Sequence, residues 1–377
     1  MIMEDIMGII IGIAVILILG LILFGMVKGI LSITNRFNFI QNIIEKGKTD
    51  KEKKKRKRII NIVVILIMFV GFILSFANAV IVFMHILAFV FIAEIIGKIV
   101  KRCCKKESNI YWQGVLGLLA VVVYLSIGVY NNYHVRNTYY NLRSEKKIGH
   151  KLKVVQISDS HLGTTFDGNG FKKYMEKVNK LNPDIVVVTG DYVDDGTKKK
   201  DMLISNKALG KINAKYGVYL IHGNHDRGYY NGRSFSIEEM DKDLEKNNVK
   251  VLRDESVLAG DIYVVGRKDK SEKDRLDISE LIKDLDKSKY MMVLDHQPND
   301  YDNEEKAGVD LVLSGHTHGG QIIPVGMTGE LSGVNDMTYG LKKKNKTTFI
   351  VNSGISDWEI KFKTGTFSEI GVIEIEG

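Results

Sequence analysis

Residues Ile6 to Val27, "IMGIIIGIAVILILGLILFGMV", run for 22 positions without a charge. At about 1.5 Å per helical residue, such a stretch crosses a hydrocarbon core of about 30 Å. No small-residue cleavage site follows a short apolar core, so the run reads as a retained span rather than a signal peptide. A second apolar stretch, Ile59 to Val100, is 42 residues long. That is about twice what one helix needs, so two spans over 59–76 and 79–99 are expected, joined by a turn near Ser75 to Asn78. A fourth stretch, Trp112 to Tyr130, carries Trp and Tyr at its two ends, as interfacial anchors do. Residues 1–132 are therefore expected to form a four-helix transmembrane region.

Two basic runs punctuate it, "KGKTDKEKKKRKR" from Lys46 to Arg58 and "KRCCKK" from Lys101 to Lys106. If both face the cytoplasm, the chain crosses four times and everything after about Tyr133 emerges outside. The basic stretch Arg136 to Lys153 pulls the other way. Of the net charge of +8, residues 1–132 hold 16 Lys+Arg against 7 Asp+Glu, a local +9, and residues 133–377 hold 37 against 38, a local −1. The basicity thus belongs to membrane loops, where anionic lipid attracts it, and a nucleic-acid partner is not expected. His85 and Glu94 are ionisable groups inside the third span, and Glu94 lies close enough to its basic end to snorkel. Both cysteines, Cys103 and Cys104, sit in the second basic run, so the rest of the chain has no thiol ligand and any metal there binds through nitrogen and oxygen.

After a polar connector over 133–150, short apolar runs alternate with segments of helical spacing, the pattern of an α/β fold over 151–377. Strands are expected at Lys153–Ser158, Ile185–Gly190, Val218–Gly223, Tyr290–His296 and Leu311–His316. Helices are expected over 171–182, 200–216, 236–248 and 277–288. The β-rich pieces "VKVLRDESVL", "IYVVGR", "TTFIVNSG" and "EIGVIEIE" suggest a second sheet.

Near the C-terminal end stands "SGHTHGGQIIP", Ser314 to Pro324. Its glycines suit a tight turn, yet it follows a strand, and side chains two apart in an extended segment point the same way. The other strands supply partners at their ends: Asp159 and His161 in "SDSH", Asp191 in "GD", Asn224, His225 and Asp226 in "GNHD", and His296 in "DHQP". His316 and His318 complete the set. Imidazoles mixed with carboxylate and amide oxygens suit first-row transition metals such as Mn, Fe or Zn. Two such metals, roughly 3.5–4 Å apart, need a shared anionic ligand, and Asp191 is the natural bridge. His225, titrating near neutrality, suits proton donation to a leaving group.

This ordered set resembles the calcineurin-like metallophosphoesterases over about residues 150–377, and "GHTHGGQ" behind an N-terminal membrane region resembles their bacterial membrane-anchored branch. The resemblance implies a four-layer αββα sandwich of two facing mixed sheets flanked by helices. It implies that Asp159, His161 and His318 hold one metal, that Asn224, His296 and His316 hold the other, and that Asp191 bridges. It also implies that His225 is the general acid, with Asp226 orienting its ring. His222 is expected to pack at a strand end, and Asp194 and Asp195 to cap a helix or order a loop.

The function expected is hydrolysis of a phosphomono- or phosphodiester by a binuclear metal centre, with a lipid-linked or cell-envelope substrate suggested by tethering alone. A nuclease or cyclic-nucleotide phosphodiesterase shares the same metal core, but the near-neutral 133–377 region does not suit nucleic acid. A sensor or transporter with a regulatory phosphoesterase is the remaining reading. Spans with few polar residues argue against a permeation path.

Overall fold

The structure is a computed structural model that describes residues 2–104, 108–228 and 232–377, with side chains from Gly12 onward, position 325 excepted. It divides into two compact units, Met1–Ser126 and Ile127–Gly377.

The first unit is built from α1 (Ile2–Thr34), α2 (Asn38–Glu45), α3 (Asp50–Leu74), α4 (Phe76–Cys104) and most of α5 (Trp112–Tyr133). All but the short α2 are long and apolar enough to cross a membrane. Met26, Ile30 and Met68 are buried among neighbouring helices, while Leu21 and Leu74 remain exposed, as lipid-facing side chains are. From Asp50 onward the first basic run is the opening of α3 rather than a loop. Thr49 caps it by accepting the Glu52 N–H at 3.2 Å, and the Glu52 carboxylate accepts the Lys48 N–H at 2.6 Å, so a capping pair and strong helix formers wind the charges into the helix. Ser75 alone separates α3 from α4, and its hydroxyl accepts the Asn78 side-chain amide at 2.8 Å, inside the expected turn. Lys105 and Lys106 of the second basic run lie outside the described residues. Glu94 pairs with Arg36 and accepts the Tyr111 hydroxyl at 2.6 Å, so its charge is met within the helices.

The second unit runs β1 (Arg136–Arg143), β2 (Leu152–Ile157), α6 (Gly168–Asn179), β3 (Ile185–Thr189), α7 (Lys199–Leu209), β4 (Val218–Ile221), α8 (Ile237–Lys246), β5 (Val249–Val251), β6 (Glu255–Ala259) and β7 (Ile262–Gly266). It continues through α9 (Ile278–Leu281), β8 (Tyr290–Leu294), α10 (Tyr301–Ala307), β9 (Leu311–Ser314), α11 (Thr328–Leu331), β10 (Gly340–Lys344), β11 (Thr347–Val351) and β12 (Glu369–Glu376). The strands form two six-stranded sheets, ordered β1-β12-β2-β3-β4-β5 and β10-β11-β9-β8-β7-β6.

Because side chains alternate along a strand, each sheet buries both faces, and the buried apolar residues fall into three layers. Val155, Ile157, Val186 and Val188 pack under Phe171 and Met175 of α6, Met202 of α7 and Met240 of α8. Their neighbours Val154, Ile185 and Val187 face Val264, Met292, Leu294 and Leu313 of the other sheet. Behind that sheet Met291, Val293, Val312 and Phe349 meet Ile278, Ile282 and Tyr301. Helix, sheet, sheet, helix is the four-layer αββα sandwich.

Several details differ from expectation. The five motif-bearing strands split, β2, β3 and β4 into one sheet and β8 and β9 into the other. "EIGVIEIE" joins the first sheet as β12, antiparallel to β2, rather than a second sheet. The segment from Val249 crosses between sheets, since β5 ends one and β6 begins the other. The connector contributes β1, which pairs in parallel with β12 through Arg136–Arg143. The helix expected over 277–288 is a single turn, α9. Ile278 and Ile282 bury themselves there, and Asp286 then accepts both the N–H and the hydroxyl of Ser288, a local bond that competes with helix continuation.

Candidate metal centre

The loops after β2, β3, β4, β8 and β9 converge where the two sheets face each other. Asp159, His161 and His318 offer ligand atoms within 4.8 Å of one another, and so do Asp191, His296 and His316. Asp191 touches both groups: its Oδ2 lies 3.6 Å from His161 Nε2 and 3.1 Å from His296 Nε2. Asn224 Oδ1 lies 3.2 Å from the same His296 nitrogen. All seven expected ligands are therefore brought together. His225, half-buried, stands at the rim with its ring 4.9 Å from that of His161.

The backbone is bent to achieve this. Asp159, His161, Asp191, His316 and His318, five of the seven, all have positive φ, a conformation that costs L-residues energy and clusters at functional sites. At Gly190 a positive φ of 86° coincides with the His296 ring packed where a side chain would stand. Gly223 likewise leaves the room that Asp191 and the His296 ring occupy.

The donor set fits a pair of divalent cations, and the reason lies behind the rings. His296 Nδ1 faces the Thr189 carbonyl at 2.8 Å, and a carbonyl only accepts, so Nδ1 carries the proton. Nε2 meets two more acceptors, Asp191 Oδ2 and Asn224 Oδ1, and Asp191 raises the ring well above its ordinary pKa against the effect of burial; a cation in that place takes over the role of the second proton and leaves Nε2 a lone-pair donor. His161 repeats the pattern: Nδ1 faces Asp194 Oδ2 at 3.1 Å, while Nε2 points at His318 Nε2 at 3.2 Å. Ring nitrogens and buried carboxylates crowded onto one another are the arrangement a cation resolves, and imidazoles braced through Nδ1 are characteristic of metal-ligating histidines. Asp159 and Asp191 are both buried, at 0% and 1% exposure, too deep for water to compensate their charge.

The titration behaviour follows from the same geometry. Burial, assisted by the charge of Asp191, raises the Asp159 carboxyl above its ordinary range. Burial pushes Asp191 up too, but the His296 ring beside it outweighs this and holds its carboxyl well below the usual range. Burial, then the charge of His296, depresses His316 to about 4, and burial with His161 depresses His318. Both rings are thus kept in the neutral, metal-binding form. His225 moves the other way: burial lowers it, but its bond to Asp194 and the charge of Asp191 raise it overall.

Asp194 was expected to cap a helix or order a loop. Its Oδ1 lies 3.3 Å from His225 Nδ1 while its Oδ2 meets His161, so one carboxylate orients both rings. Asp226, expected in the orienting role, instead accepts the N–H of Val193 at 2.9 Å and that of Gly223 at 2.7 Å, clamping two site loops together. His222 is buried and bonds Asp241 at 2.8 Å, as a packing residue. Two residues carried no signal in the sequence. Lys363 is fully buried, with burial lowering it to about 8, and donates to the carbonyls of Ser353 at 2.6 Å and Gly354 at 3.2 Å. Trp358 lays its exposed ring 5.3 Å from that of His225.

Comparison with known proteins agrees with this geometry. Residues 152–320 match the family model described as calcineurin-like phosphoesterase. An uncharacterized metallophosphoesterase of Campylobacter jejuni is 35% identical over 60% of this chain and 59% of its own length. One of Aquifex aeolicus is 34% identical over 54% of this chain and 78% of its own. A zebrafish (Danio rerio) transmembrane protein with metallophosphoesterase domain is 29% identical over 58% of this chain and 52% of its own. The chain spans about 60% of the length of the first curated relatives it matches. On these grounds the chain belongs to the calcineurin-like metallophosphoesterase family.

Proposed function

We propose that this protein is a membrane-anchored phosphoester hydrolase. Two divalent transition metals, Mn, Fe or Zn, would be held by Asp159, His161 and His318 and by Asn224, His296 and His316, with Asp191 shared. The observation that carries this reading is the convergence of imidazole Nε2 atoms on either side of Asp191, each ring braced from behind by an Nδ1 hydrogen bond. When bound, such a pair neutralises phosphoryl oxygens and lowers the pKa of a water to near neutrality. The chain's own part is positional and protonic. Asp191 stays charged between the two groups, and Asp194 accepts the Nδ1 proton of His225 and favours the doubly protonated ring, so a second proton, on Nε2, is there to be delivered to the departing alkoxide. Asn224, His225 and His316 are the incompletely buried members of the cluster, and they mark the side from which a phosphoester enters.

In this reading residues 1–132 anchor the protein, 133–150 connect, and 151–377 hydrolyse, with β1 of the connector stitched to the catalytic sheet. The cytoplasmic preference of the basic start of α3 favours a catalytic domain outside the cytoplasm, facing a lipid-linked or cell-envelope phosphoester. The full-length protein in detergent, given Mn and an aryl phosphate or aryl phosphodiester, should release the phenol, and Asp191→Ala should abolish the release. No turnover by the wild type, or turnover unaffected by Asp191→Ala, overturns the reading.

A further inference from the structure

Exposed large apolar side chains on the second unit mostly occur singly, but Ile323, Met327, Leu331 and Val334 share the loop that leaves His318 and carries α11. Leu331 is 81% exposed, as bare as Leu74 on a membrane helix at 80%. Isolated surface leucines are ordinary; several on one loop mark an interaction surface.

The covalent and hydrogen-bonded surroundings of the loop say what covers it. Residues from Ile127 onward belong to the second unit, and they include the last turns of the membrane helix α5. There the Gly128 carbonyl accepts the Lys363 N–H at 3.0 Å, and Gly128 packs against the Thr364 methyl. Thr364 in turn donates its N–H to the Gln321 carbonyl at 2.8 Å and accepts the Ile323 N–H on its hydroxyl at 3.2 Å. Four residues after the span's last Gly, the Asn132 side chain bonds Asp357, the neighbour of Trp358. The end of a bilayer-crossing helix is thus tied by short links to the apolar loop on one side of His318 and to the exposed indole beside His225 on the other. Trp is the side chain most at home where hydrocarbon meets headgroups.

We propose that Ile323, Met327, Leu331, Val334 and Trp358 form a membrane-embedded lip. It sets the metal centre at the headgroup layer, so that the site takes its phosphoester from an amphiphile whose acyl part stays in the bilayer. This rests on the phosphoesterase reading for its chemistry, but the placement of the lip stands apart from it. The substrate class that fits is a lipid phosphoester, and loop apolar area contributes to its capture as it does for interfacial helices.

Two measurements on the full chain in phosphatidylcholine nanodiscs test it. With Trp112→Phe, Trp358 is the sole tryptophan; its fluorescence should be quenched by acyl-chain-brominated lipid, and a readout of this kind needs no catalysis. Unquenched Trp358 overturns the lip whatever the activity. In the second, phosphatidic acid in the disc should compete with a soluble aryl phosphate at an at least about tenfold lower concentration than glycerol 3-phosphate, a margin that burial of one or two apolar side chains supplies. Leu331→Asp with Val334→Asp should erase that margin while leaving aryl phosphate turnover within about twofold, since neither side chain touches the metal centre. Equal competition by both compounds, or a margin unchanged in the double variant, overturns the proposal. A double variant that dissociates an oligomer while keeping the lipid margin also overturns it, by assigning the surface to a protein partner. Quenching without any aryl phosphate turnover supports the lip and contradicts the phosphoesterase reading alone.

Discussion

At the scale of single residues, the centre depends on side chains that touch the expected ligands from behind. Asp194 bonds His161 and His225 at once, so Asp194→Asn should lower kcat by about 10- to 100-fold and weaken metal retention, the usual cost of losing such a support. Asp226→Asn, by contrast, disturbs a loop clamp and should appear first as a lower Tm. Lys363 gives a pH signature. Burial lowers its folded-state pKa to about 8 from 10.5, so between those values the unfolded chain holds a proton the folded chain lacks. Folding stability should therefore rise with pH across that window, by up to roughly 3 kcal/mol for this group. Thermal unfolding of wild type and Lys363→Met at pH 7.5 and 10 checks it: the wild type should gain relative to the variant. The candidate ligand positions were legible in the sequence because each is a strand-end motif with a recognisable spacing. Asp194 and Trp358 were not, because their partners lie far along the chain and only the fold brings them near; Lys363 was not, because nothing in its neighbourhood of the sequence shows that its side chain is buried.

At the scale of elements, the strands that aim the ligands are held by charge as well as by apolar packing. Arg267, just after β7, is 2% exposed and its guanidinium reaches Asp295 at 2.8 Å, Asp300 at 2.8 Å and Glu304 at 3.2 Å. Asp295 directly precedes His296, so this buried cluster fixes the end of β8 where a ligand departs. Arg267→Met leaves buried Glu304 without its cation and Asp295 with Arg275 alone, and should destabilise the domain by about 3–5 kcal/mol. Chemical denaturation at fixed pH measures it, and a change below about 1 kcal/mol would mean the acids are solvated or protonated instead. The strands themselves were readable from runs such as "IVVVTG". Their division between two sheets was not, since a fully buried strand shows no face preference in its sequence. The edge strand β1 was hidden for the opposite reason: "RNTYYNLR" is polar on its exposed side and borrows its pairing from β12.

At the scale of the whole molecule, the chain joins a set of membrane-competent helices to a metallophosphoesterase domain, and the sense of insertion decides which phosphoesters the domain meets. A C-terminal reporter that is active only outside the cytoplasm should be active when fused after Gly377, and a silent reporter with an active cytoplasmic one would reverse the assignment. The four apolar helices were legible from run length alone. The tie between the end of α5 and the rim of the metal centre was not, because hydrogen bonds such as Ser368 N–H to the Asn131 carbonyl at 2.9 Å span more than half the chain. In the proposed function Asp191 joins two metal sites into one hydrolytic centre. Metal analysis of the purified full-length protein, paired with its aryl phosphate turnover, addresses that claim most directly. About two transition-metal ions are expected per active wild-type chain, with loss of turnover together with at least one ion in Asp191→Ala. Full turnover by a chain holding one ion or none, or two ions retained with turnover intact in Asp191→Ala, would contradict it.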